Sequence, residues 1–162
     1  MRLVSWLLES VVVHGLIPCS LKWRRSVSGV GRLFKDVFYM LDAEGRRKLA
    51  DVLYALGGDA DSVIRMLKIR RDLHGCAIAL LAVQHTFGVR SRIVRESESE
   101  VVIQVDSCMW KDKERWAPEV CAAIEAYEIG LVKGIRGDVE HICTKRRSKG
   151  DTVCEVILRK LD

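Results

Sequence analysis

Cys121, Cys143 and Cys154, with Glu140 and His141 between them, carry the clearest chemistry in this sequence. Thiolate, imidazole and carboxylate are the side chains that hold a borderline-soft ion such as Zn²⁺. Cys143 and Cys154 fall in two strand-like runs on either side of Ser148-Lys149-Gly150-Asp151. A tight turn between Ser148 and Lys149 sets the two cysteines opposite each other, whereas a loop Ser148–Asp151 sets Cys154 opposite Lys145 and leaves Cys143 diagonal. Either register leaves both sulfurs on one sheet face, with Cβ atoms ~5 Å or ~7–8 Å apart. Cys121 is the natural third donor, on a helix that precedes the hairpin and is expected to pack on it. For a fourth, strand alternation puts His141 on the face of Cys143, while Glu140 turns inward only at a bulge.

The elements that must position these groups follow from periodicity. Leu3–Leu16 reads as an amphipathic or buried helix, Ile17–Gly31 as a connection containing Trp23, and Arg32–Leu41 and Arg46–Leu56 as further helices, the last ending at Gly57-Gly58. Asp59 or Asp61 is expected to cap one long helix running through the apolar segment Cys76–Val83 to Phe87-Gly88. The period then changes to alternation: Arg92–Arg95 and Glu100–Ser107 predict a hairpin with Val101, Ile103 and Val105 on its buried face. A charged loop Lys111–Arg115 leads to Pro118, suited to a first helical turn. The helix over Ala117–Lys133 has its core stripe at Val120, Ile124, Tyr127 and Leu131, with Cys121 beside it on the face of Glu125, Glu128 and Val132. A second hairpin completes an α+β class: N-terminal helices packed on an antiparallel sheet of about four strands, with a helix between two β-hairpins. We read 1–162 as a single domain, with 1–58 as its N-terminal helical part and 59–162 as the ligand- and metal-binding core.

A length of 162 residues, 49% hydrophobic and 30% charged, is that of one ordinary globular domain rather than a disordered chain. The net charge of +5 is spread among interspersed acids, so Lys68–Arg71 and Lys145–Arg147 read as solvated faces and not as a nucleic-acid surface. Glu9 interrupts the apolar start and no small-residue cleavage site precedes Cys19, so a cytoplasmic chain with reduced thiols is expected. No apolar run approaches the ~18 residues of a membrane span.

The run Glu140-His141-Ile142-Cys143, then Lys149-Gly150-Asp151-Thr152-Val153-Cys154-Glu155-Val156, resembles the C-terminal signature of the 4-vinyl reductase type of small-molecule-binding domain, found also in sensory domains of bacterial aromatic-compound regulators. That resemblance implies one zinc on Cys121, Glu140, Cys143 and Cys154. A longer stretch, with Phe87-Gly88, Arg92–Ser107 and Cys108-Met109-Trp110, is similar to the L-2-amino-thiazoline-4-carboxylate hydrolase-like branch, with Met109 where that branch has proline.

The resemblance implies a sensor- or carrier-like domain with a structural zinc, holding a small apolar or aromatic ligand. His85, Trp110, Trp116 and Tyr127 are the candidate pocket residues, because such sites combine apolar walls with a few oriented polar groups. A homodimer is a candidate partner arrangement. The alternative is a hydrolase opening a small cyclic amidine, with Cys108 as nucleophile or a metal-bound water as attacker. Such a thiol requires a base or cation to lower its pKa, and His85 or His141 would have to supply it.

Overall fold

The structure is a computed structural model and describes residues 21–112 and 114–161. The helix expected over Leu3–Leu16, and Cys19, lie outside the described residues. Helices α1 (Leu21–Met40), α2 (Ala43–Gly58), α3 (Asp61–Leu67) and α4 (Leu73–Thr86) come first. Strands β1 (Arg90–Glu96) and β2 (Glu100–Ser107) follow, then α5 (Met109–Asp112) and α6 (Pro118–Ile135). Strand β3 (Val139–Lys145), a 3-10 turn (Arg147–Lys149) and β4 (Cys154–Lys160) complete the chain. The class is α+β: the strands form one antiparallel sheet in the order β1-β2-β4-β3, with helices packed against it.

Strand alternation decides which sheet face is covered. Val101, Ile103, Val139, Val156 and Leu158 are buried on the inner face against α4 and α6. The outer face carries ion pairs such as Arg92–Asp106 at 3.1 Å and Arg95–Glu100 at 2.6 Å. Such exposed pairs contribute only about 0–1 kcal/mol each, so burial on the inner face holds the sheet in place. Helix α4 has buried residues on nearly every side, as its unbroken apolar sequence requires. Helix α2 lies on α6 from the side away from the sheet, with their backbones in close contact. A Cβ at Gly57 would lie 2.1 Å from the Tyr127 carbonyl oxygen, and one at Gly130 2.0 Å from that of Tyr54.

Three boundaries differ from the sequence expectation. Residues Leu21–Gly31, expected to belong to a connection, form the first half of α1. Gly31 is required inside that helix, since a Cβ there would lie 2.2 Å from Cδ1 of Trp110. The long helix expected from Asp59 or Asp61 is two helices: Lys68 adopts φ +53° and ends α3, and the Asp72 carboxylate accepts the Gly75 N–H at 2.8 Å to start α4. Finally, the first part of the Lys111–Arg115 loop is helical, within α5.

Two buried clusters result. One joins α3, α4, α6 and the sheet; the other joins α1, α5 and the N-terminal turns of α6 around Trp110 and Trp116. No helix among the described residues is long and apolar enough to cross a membrane.

Candidate ligand cavity

A cavity of about 590 Å³ lies between these clusters, bounded by α1, α2, α4 and α6 and floored by residues of β2, β3 and β4. One end is aromatic. Phe34, Trp116, Trp110 and Phe87 form a continuous row of rings, with centroid separations of 5.3, 4.7 and 5.4 Å. The two indoles stack almost parallel, at 9°. Their N–H groups donate at 3.1 Å to the Val27 and Gly31 carbonyls, so the buried rings have their polar atoms satisfied by α1. Glu114 reinforces this docking. It accepts from Ser28 Oγ and, at 3.1 Å, from Arg32 Nε, while its carbonyl accepts from Lys35 Nζ at 2.7 Å. The bonds from Ser28 and Arg32 hold its carboxyl below the usual carboxylate range.

The other end is polar. Gln84, Glu125, Glu128 and Arg146 line it, next to Cys121, Cys143 and Cys154. Gln84 Nε2 donates to Glu128 Oε1 at 2.8 Å, and Arg146 pairs with Glu125. His141 lies behind the acid pair with a fully buried side chain: Nδ1 is 3.7 Å from Glu125 and Nε2 is 3.4 Å from Glu128. Neither ring nitrogen makes a hydrogen bond.

Trp110, Trp116 and Tyr127 all stand on the cavity wall. His85 is not among the lining residues. Its Nε2 lies 2.8 Å from the Ser91 carbonyl, which can only accept, so the ring donates there and Nδ1 is left buried without a partner. Cys108 lines the cavity, but burial pushes its thiol up to about 11, away from the thiolate that a nucleophile requires.

The β3–β4 hairpin takes the wider register, with Cys143 opposite Val156 and Cys154 opposite Val105 of β2. Its bulge falls between Cys143 and Lys145, not at Glu140. Glu140 therefore stays in regular alternation, exposed on the outer face and opposite Arg159. Cys121, Cys143 and Cys154 meet at one end of the cavity, and their donor chemistry suits zinc. Glu140 is on the wrong face to join them, and among the described residues no group of three or more His, Cys, Asp or Glu side chains is arranged to hold a metal ion. Cys143 Sγ donates to the Lys145 carbonyl at 3.3 Å, and Cys154 Sγ accepts the Arg147 N–H at 3.3 Å. Burial raises the Cys121 and Cys154 thiols as well.

Sequence reasoning missed Gln84 and Arg146 as wall residues. Arg146 belongs to a basic cluster that reads as solvated, yet its side chain is 15% exposed. Glu125 and Glu128 were legible from their spacing to Cys121 on one helix face; what the spacing lacked was any sign that a cavity lay beside that face.

No family model matches the chain by sequence, and no curated protein matches it. Among solved structures, the chain is similar to the phenol-responsive sensory domain of the transcription activator PoxR, solved with phenol. The TM-score is 0.59 at 17% identity, over 83% of this chain and 74% of that one. The two share a fold.

Proposed function

We propose that this chain is a small-molecule-binding domain that takes an apolar or aromatic compound into the cavity between α1, α6 and the sheet. The observation that carries the reading is the 590 Å³ cavity with its row of four aromatic rings. The row gives the cavity an apolar aromatic wall, and a cavity of this size encloses most of a small organic molecule's surface. The fold shared with a sensory domain whose name describes a phenol response supports the same reading. No observation favours the hydrolase alternative, because Cys108 has a raised pKa and no hydrogen-bonded imidazole.

The resemblance in sequence adds a structural zinc held by Cys121, Cys143 and Cys154, in a cytoplasmic protein with reduced thiols. Glu140 would serve as a fourth donor only if β3 twisted at that position.

The test is thermal unfolding and tryptophan fluorescence with a panel of neutral mono- and bicyclic aromatics. A compound present at about 100 times its Kd should stabilise the fold by about 2.7 kcal/mol. The variant Ile124→Trp, which fills the cavity from α6, should abolish the response. Absence of any saturable binder among these and the charged aromatic probes described below, or an Ile124→Trp variant that binds as the parent does, would refute the assignment.

A further inference from the structure

The geometry points to a ligand that carries a positively charged nitrogen, an ammonium or amidinium on an apolar body, with the charge held at Glu125 and Glu128. This rests on the cavity's being the binding site and adds the chemical class of what it takes.

The first observation is charge. The chain carries a net +5, yet the charged residues of the cavity wall are Asp59, Glu125, Glu128 and Arg146. Three carboxylates against one guanidinium leave the wall two charges negative, inside a protein that is otherwise basic. Low-dielectric walls strengthen such a field, which attracts cations and disfavours anions.

The second observation is a shortage of donors. Around the acid pair Arg146 is committed to Glu125 and the Gln84 amide to Glu128, with the Tyr127 hydroxyl and the Cys143 thiol as further neighbours. The Gln84 amide orientation is fixed by that bond, since its nitrogen must face the carboxylate. Its Oε1 is consequently left as a buried acceptor without a partner. His141, its side chain fully buried and both nitrogens directed at the two glutamates, brings one N–H when neutral and leaves the other nitrogen as a further acceptor facing a carboxylate. The Gln84 oxygen and one His141 nitrogen are therefore acceptors without donors, and buried acceptors without donors are costly. Even a doubly protonated ring would leave the wall one charge negative, through Asp59. An ammonium supplies three donors and a charge, and an amidinium supplies a planar fork that matches a carboxylate.

The third observation is the opposite end. The row Phe34–Trp116–Trp110–Phe87 has its indole N–H groups already taken by α1 and its inner faces covered ring upon ring, so it presents an apolar, uncharged surface to the rest of the ligand.

The experiment is isothermal titration calorimetry at pH 8 on the full chain with three probes of one shape: 4-phenylbutylamine, 4-phenylbutan-1-ol and 4-phenylbutanoate. The amine is expected to bind at least tenfold tighter than the alcohol, and the carboxylate not measurably. Glu128→Gln and Glu125→Gln should each narrow the amine-to-alcohol ratio to below about threefold. Should either fail to fold, as judged by circular dichroism, Asp59→Asn on the exposed rim should narrow it by a smaller factor. If the alcohol binds as tightly as the amine, or the ratio survives Glu128→Gln in folded protein, this inference is overturned while the cavity's role as a binding site stands. If none of the probes binds and the neutral aromatics also fail, the binding-domain reading falls and takes this inference with it.

Discussion

Replacing Gly130 by alanine tests the contact that sets the width of the cavity. Helices α2 and α6 cross at Gly57-Gly58 and at Gly130 and Gly134, with backbone against backbone. A Cβ on Gly130 would lie 2.0 Å from the Tyr54 carbonyl oxygen and 2.9 Å from its carbon. At Gly134 the Cβ would be 2.4 Å from the Gly58 oxygen. Both obstacles are main chain, so no rotamer change relieves them. Reaching an ordinary contact of about 3.5 Å would require the helices to separate by about 1.5 Å at this point. Overpacking of this kind costs roughly 1–3 kcal/mol, often at the upper end where backbone must move. Alanine in a helix interior returns up to about 1 kcal/mol. The expected net loss for Gly130→Ala is therefore about 1–2 kcal/mol. The matched control is Gly29→Ala on α1, where a Cβ meets nothing within 4 Å and the same propensity gain should stabilise the fold by about 0.5–1 kcal/mol. Urea unfolding followed by circular dichroism reads both, the first midpoint moving down and the second up. Because Leu53, Leu56 and Tyr127 line the cavity from these two helices, Gly130→Ala should also weaken aromatic binding. Equal stability of Gly130→Ala and the parent, or shifts of the same sign in the two variants, would refute the close-crossing argument.

Two further outcomes are expected. Metal analysis of protein prepared without chelator should give about one zinc per chain, lost in Cys143→Ser and in Cys154→Ser and retained in Glu140→Gln; metal-free parent protein would sink the zinc site, and loss in Glu140→Gln would bring that residue into it. Stability should also fall in alkali. Burial in the core pushes the Cys76 thiol from 9.0 up to about 12, so its contribution is complete below the unfolded pKa near 9 and is lost as pH rises towards 12. The loss is about 1.4 kcal/mol per pH unit for this group. Cys76→Ala should flatten the alkaline limb of the stability curve, and an unchanged slope would show that the thiol does not govern it.

What the sequence discloses here depends on whether the determinant is local. The alternation of Val101, Ile103 and Val105 and the stripe from Pro118 to Leu131 are local. The three strand residues, Val120 and Leu131 are buried as expected, whereas Ile124 and Tyr127 stand half-buried on the cavity wall and Val132 and Val102 are buried on the faces read as the other side. Phe87-Gly88 likewise marks the end of α4, with Gly88 at φ +69°. The break at Lys68 is a different case. A lysine in the left-handed region has no sequence signature, and it is held there because the following loop folds back so tightly on Gly75 that a Cβ would lie 1.9 Å from the Arg70 oxygen. Gly31 shows the converse: its sequence reads as a helix breaker, but a tryptophan about eighty residues later fills the space that a side chain would occupy.

The polar end of the cavity was hidden for the same reason. Gln84 comes from α4, Glu125 and Glu128 from α6, and His141 and Arg146 from the β3 segment. Each has an unremarkable local reading, as a helix-end amide, surface acids, a strand histidine and a basic-cluster arginine. Charge balance over the whole chain, net +5, gives no sign of the acidic wall. Only the packing of α4 and α6 side by side on the inner sheet face turns these residues towards one space and makes it acidic. The charge of the cavity wall is therefore set by tertiary assembly, and the net +5 of the sequence is no guide to it.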